Sequence, residues 1–283
     1  MNQLLHSILK RYSAKEIVQM CKIINKDYNV YDPEEVRWSK LEYVLSRTSR
    51  EEIEQLRSSY LSNNVVNDLI FEFYHCERVI KYFFIKHLMG RTDHIVAFEM
   101  VIGDSRVDIC RINGSSYAYE IKTEYDTFDR LETQMQDYLK AFEKVYVIVP
   151  YTRVKTVWPL VPESCGIISY RTTLQNDFVF AYIKRAQKNH CDIECCLNSL
   201  SSADMSYLLK LLGEKDCKTR LEKKNHLLEI AAIKPIWKQY RQLLQHKYEN
   251  QWNFITSHFY EILPIDIQSF FSANITPSLL YTK

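Results

Sequence analysis

Between His94 and Thr123 the chain runs through three short segments of alternating hydrophobicity, HIVAFEMVI, SRVDICRI and YAYEIKT. Gly103-Asp104 and Asn113-Gly114 separate them. A period of two bounded by such dipeptides predicts three strands joined by tight turns. A two-residue turn at Gly103-Asp104 also fixes a register, in which Ile102 meets Ser105, Val101 meets Arg106 and Glu99 meets Asp108. Glu99, Val101, Arg106 and Asp108 then share one face. In the third strand Tyr117, Tyr119 and Ile121 face one way, and Ala118, Glu120 and Lys122 the other. The period next becomes helical over 127–143, with Leu131, Met135, Leu139 and Phe142 on one stripe. Gln134 and Tyr138 are i,i+4 neighbours on its flank, with Arg130 one turn earlier. VYVIV at 145–149 has the length and apolar character of a strand buried on both faces, and CGIISY at 165–170 reads as a further strand.

Helical patterns surround this core. Ser13 to Glu16 forms a capping box ahead of IVQMCKII, a second capped helix starts near Thr48 or Ser49, and Asp32-Pro33 breaks the chain between them. Residues 65–89 read as one long helix stopped by Gly90, with Ile70, Phe73, Tyr74, Glu77, Lys81 and Phe84 on a stripe. Beyond 170 the expectation is helical again: 178–188, a leucine-rich helix after Ser201, a long charged segment from Lys218 to Tyr248 interrupted by Pro235, and one or two helices in 251–271. The domains expected are an N-terminal helical extension (1–64), the core (65–170) and a C-terminal helical region (171–283).

With 46% hydrophobic and 25% charged residues, the chain has the composition of a folded soluble protein. A net charge of +2 means that any nucleic-acid contact must come from a local basic patch, such as Lys218–Lys224 or Lys234–Lys247. The alternative for each run is a solvated helix face. No apolar run reaches the length of a membrane span, and no cleavable leader precedes the eight cysteines, so a cytoplasmic protein with reduced thiols is expected. His190, Cys191, Cys195, Cys196 and Cys217 lack the paired spacing of a zinc site. The 20 tyrosines suit half-buried packing, or surfaces that stack on bases.

Asp108, Glu120 and Lys122 bring two carboxylates and an ammonium to one sheet. Carboxylates hold hard divalent cations, and an ammonium on the same face can stabilise charge on a reacting phosphate or orient a water. Glu99 opposite Asp108 would be destabilising without a cation between them. Arg106 is one candidate for that cation and a divalent metal the other. Glu77 reads either as lying at the edge of the helix face that packs on the sheet or as a surface partner of Lys81 at i,i+4.

Asp108 followed by Glu120-Ile121-Lys122 resembles the PD-(D/E)xK nucleases, and Gln134-x-x-x-Tyr138 resembles the motif of their RecB-like branch. The resemblance spans roughly 66–170; Val107 stands where the superfamily has proline. It implies an α/β fold, a restriction-endonuclease-like αβββαβ core with a mixed sheet flanked by helical regions. It further implies a nuclease hydrolysing phosphodiester bonds in DNA with Mg²⁺, for which Mn²⁺ substitutes. Asp108, Glu120, Lys122, Gln134 and Tyr138 would be catalytic. Asp108, Glu120, the Ile121 carbonyl, Glu77 and Glu99 would be metal ligands, and Arg106 and Arg130 would contact nucleic acid. A homodimer or partner protein would use the helical ends. The alternative is a catalytically silent copy of the fold serving as a nucleic-acid-binding or interaction module.

Overall fold

Side-chain caps start the N-terminal helices where their sequence signals stand. Ser13 accepts from the Glu16 N–H while Glu16 returns a bond to the Ser13 N–H, and Ser49 and Glu52 do the same. In this computed structural model, which describes residues 3–89, 94–174, 177–273 and 275–281, they open α2 (Ala14–Asp27) and α4 (Arg50–Ser59). α1 (Gln3–Leu9) precedes them, and α3 (Glu34–Val44) begins directly after Pro33. α5 (Ser62–Phe73) has no cap from its own N-cap residue; instead Glu34 accepts the Ser62 N–H at 2.7 Å. The same carboxylate holds Arg37 and Trp38 of α3.

The single helix expected over 65–89 is two helices, α5 and α6 (Glu77–Met89). Neither Gly nor Pro marks the break. Phe73, Tyr74, His75 and Cys76 are all weak helix formers, and Tyr74 takes extended φ/ψ of −144° and 86°. The Cys76 carbonyl then accepts from Val79 and Ile80 and starts a new helix, leaving Glu77 as its acidic first residue. The stop expected at Gly90 lies outside the described residues.

The chain divides into two compact units, residues 1–83 with 255–283, and residues 84–254. These cuts fall at other places than 64 and 170. The first unit is helical and includes α13 (Ile267–Ser272) and α14 (Pro277–Leu280). Within it the fully buried Asp266 accepts from Tyr281 at 2.7 Å and Tyr28 at 3.3 Å.

The second unit carries a mixed six-stranded sheet in chain order: β1 (Ile95–Ile102), β2 (Ser105–Ile112), β3 (Ser116–Ile121), β4 (Lys144–Pro150), β5 (Gly166–Thr172) and β6 (Phe178–Lys184). β3, β4 and β5 are parallel, and the other neighbours antiparallel. The first hairpin keeps the expected register, Ile102 with Ser105 and Val101 with Arg106. Gly103 supplies the turn's φ of +58°, which primed hairpin turns require. At Gly166 the Tyr146 ring of the next strand lies where a Cβ would be, 2.3 Å away, so only glycine fits.

The strand β6 replaces the helix expected over 178–188. Phe178 and Phe180 are buried and Tyr182 half-buried, while the alternate residues Val179, Ala181 and Ile183 are exposed, a period of two in a segment rich in residues that favour strands. α7 (Leu131–Ala141) is shorter than its expected span and packs on β1, β2 and β4. Its buried stripe includes Tyr138, with Leu139 half-buried. On the opposite face Phe84 of α6 meets Tyr119 and Phe180 edge-on. α8 (Val154–Val157) follows β4, and α9 (Ile193–Asn198) packs on α7. α10 (Ser202–Leu212) carries a Ser201–Asp204 capping box and ends at Gly213; α11 (Arg220–Ile233) and α12 (Trp237–His258) are separated at Pro235 as expected.

Burial pushes the Asp266 carboxyl up to about 6, against the opposing pull of Tyr281, Tyr28, Arg78 and Arg37. A carboxyl whose folded pKa exceeds its unfolded value binds more protons when folded, so its contribution to stability falls as pH rises from about 4 to about 6. Wild type should therefore lose about 3 kcal/mol across that window relative to Asp266→Asn. Urea unfolding of both proteins at pH 4 and pH 7 checks this; parallel pH dependence of the two would refute it.

Candidate functional site

Glu120 lies at the end of β3, pointing to the face that α7 covers, and its side chain is 3% exposed. Three protein donors hold its carboxylate. Lys122 Nζ donates to Oε1 at 2.8 Å, Gln134 Nε2 to the same oxygen at 2.6 Å, and Tyr138 Oη to Oε2 at 2.7 Å. Lys122 also donates to Gln134 Oε1 at 3.0 Å, closing a ring of three side chains. The Tyr138 oxygen sits 2.8 Å from the Arg106 carbonyl as well, which ties α7 to β2. Burial, and then the neighbouring Glu120 charge, push the Tyr138 phenol well above its ordinary pKa, so it remains a donor.

Asp108, on β2, is buried, and its Oδ2 accepts the Ile121 N–H at 2.7 Å. Ile121 was expected to contribute through its carbonyl; the bond observed is from its amide. Glu99 lies opposite Asp108 by count, between the ladder pairs Met100–Val107 and Phe98–Ile109. Its φ is +57°, the left-handed region, and it is the one such non-glycine among the described residues. That conformation costs on the order of 1–3 kcal/mol in a non-glycine residue and gathers at functional sites. Oxygens of Glu99 and Asp108 come within 4.8 Å of each other. Arg106 forms an ion pair with Glu99, as one of the two readings of that pair has it.

The other candidates are placed on their own elements. Glu77, in the first unit, pairs with Lys81 at 2.6 Å as the i,i+4 reading has it. Arg106 is 67% exposed beyond its contact with Glu99. Arg130, exposed, is the N-cap residue of α7. Sequence reasoning passed over Arg153, which donates to the carbonyls of Thr123 and Asp126 at 2.6 Å and lies over Phe128. It fixes the loop between β3 and α7, and a lone arginine beyond the motif gave no signal of that.

Neither basic run is a free patch. In the first, Lys223 is buried and bonds Ser202 and Ser206, Lys224 pairs with Glu194, and Arg220 binds two carbonyls. In the second, Lys234, Arg241 and Lys247 pair with Glu214, Glu143 and Asp204. The cysteines are free thiols, with Cys191 pushed up to about 12 by burial, and they form no metal-holding cluster among the described residues.

The family model of bacteriophage P4 protein cII matches residues 66–270. The chain belongs to that family. Protein cII of Enterobacteria phage P4 is 29% identical over 83 residues, which are 29% of this chain and 31% of that protein. The chain thus matches less than a third of that relative's length. No solved structure matches. Within the family's matched span lie the whole sheet, α7 and every side chain on Glu120.

Removing the hydroxyl that holds Glu120 Oε2 leaves a buried carboxylate short of a donor. Tyr138→Phe should lose about 2 kcal/mol in urea unfolding. An unchanged midpoint would mean that the Tyr138–Glu120 bond does not form in solution.

Proposed function

We propose that this chain is a divalent-metal-dependent nuclease acting on DNA, built on a restriction-endonuclease-like core. One observation carries the reading: an acid on β3 is held by the lysine two residues on and by the glutamine and tyrosine of the following helix. A salt bridge at a sheet edge would need only the lysine. The order of elements, three antiparallel strands, a helix and a parallel strand, agrees with it.

The residues fit a hard divalent cation. Glu99 and Asp108 offer carboxylate oxygens within 4.8 Å of each other, and oxygen donors of this kind suit Mg²⁺ or Mn²⁺. Glu99 and Asp108 would hold the ion, with Glu120 beside them. Once bound, such an ion neutralises phosphate charge and lowers the pKa of a bound water. Lys122 uses two bonds on Glu120 and Gln134 and keeps a third N–H to place against a phosphate oxygen. Glu120 fixes that ammonium, and Gln134 and Tyr138 fix Glu120. Arg106 would exchange its contact with Glu99 for one with the phosphate backbone.

A second reading has an observation of its own. Glu120 is held by three protein donors, Glu99 pairs with Arg106 and Asp108 accepts the Ile121 N–H, so each carboxylate has a protein partner without an ion. A silent copy of the core, used for binding, would be arranged in this way.

The two readings separate on purified protein. A nuclease degrades plasmid and single-stranded DNA with Mg²⁺ or Mn²⁺, stops in EDTA, and loses at least about 100-fold in rate in Asp108→Asn and in Lys122→Ala, with unchanged circular dichroism. DNA left intact with either ion, but retained in a filter-binding assay, would sink the nuclease and support the binding module.

A further inference from the structure

The second unit has a cleft of about 520 Å³ that the residues around Glu120 do not line. This is within the roughly 300–1,000 Å³ range of small-ligand sites. One wall is α12. At 100° per residue, Gln242, Gln245, His246, Glu249, Trp252 and Asn253 fall within about a third of the helix circumference. A whole face of this 22-residue helix therefore looks into the cleft. Tyr207 of α10 stands opposite, its ring parallel to that of His246 with centroids 4.4 Å apart. Deeper in, the buried rings of His94 and Trp252 approach to 5.5 Å.

The lining is mostly aromatic rings and uncharged amides, with two aliphatic residues, Ile95 and Leu211, one carboxylate and no lysine or arginine. Flat rings accept a stacked heteroaromatic. Amides of glutamine and asparagine match the paired donor and acceptor of a base edge, and a carboxylate accepts from an exocyclic amine. The absence of lysine and arginine from the lining argues against a site for phosphate. We propose that this cleft binds a nucleobase, stacked against the Tyr207–His246 pair and read along its edge by Gln242, Gln245 and Asn253. Glu249 selects bases that carry an amino group, cytosine, adenine and guanine, over thymine and uracil. The base comes either from a free nucleoside or from a single strand, and the cleft serves as a binding site separate from the Glu120 network. The inference does not depend on whether that network cleaves DNA.

The full chain, kept in EDTA so that any strand stays intact, is titrated by calorimetry with cytidine, adenosine, thymidine and an oligo-dC. His246→Ala and Gln245→Ala are titrated beside it; His246 is exposed and Gln245 half-buried, and their melting temperatures verify folding. Stacking predicts at least about fivefold weaker binding in His246→Ala. Cytidine and adenosine should bind more tightly than thymidine, and Glu249→Gln should remove that preference. Nucleoside binding with these sensitivities supports a free-nucleoside site. Oligo-dC binding weakened by His246→Ala, without measurable nucleoside binding, supports a single-strand site. Absence of binding by all four probes, or binding that both variants leave unchanged, overturns the proposal.

Discussion

A carboxylate buried under a helix is tolerable only if its charge is answered, and the arrangement at Glu120 follows from that. An isolated charge there would cost several kcal/mol. Three donors meet it, from the same strand and from α7. Removing one partner of a buried pair typically costs about 3–5 kcal/mol, so the network specifies geometry as well as stability. α7 must sit at the height and rotation that place Gln134 and Tyr138 on Glu120. Tyr138 then fixes the helix to β2 through the Arg106 carbonyl, next to Asp108. The position of the helix and the position of the lysine are one constraint, which is how a short motif can organise a site.

The part of this that could be read from sequence is the part governed by local rules. Alternation and two turn dipeptides gave three strands and a register that the hairpin keeps. A capping box at Ser13 marked one helix start, the starts near Ser49 and after Ser201 were legible as well, and Pro235 marked a break. Where reading failed, two patterns competed or no signal existed. FVFAYIK contains aromatic and β-branched residues at a period of two, yet it stands among charged residues that favour a helix, and the strand won. The break at Tyr74 depends on several weak helix formers in a row with no glycine or proline among them. Of the candidate site, the residues that meet at Glu120 were legible because they lie within one strand–helix unit. The left-handed backbone at Glu99 and the anchoring of the loop by Arg153 were not, since both depend on neighbours distant in sequence.

Charge adds a further constraint. Most side chains of the two basic runs are drawn into ion pairs and hydrogen bonds within their own unit, which limits the positive potential they offer a polyanion. With a net charge of only +2, long-range attraction to nucleic acid is weak. At the Glu120 site affinity would come from short-range contacts, from the third N–H of Lys122 and from the exposed Arg106 and Arg130. Arg106 stands out among these because it is also the counter-ion of Glu99. On the proposed nuclease reading, a cation that took over Glu99 would release the guanidinium, and a phosphate that took the guanidinium would release Glu99 from that pairing. Each event would remove part of the other's electrostatic cost, so metal and polyanion would bind with mutual reinforcement.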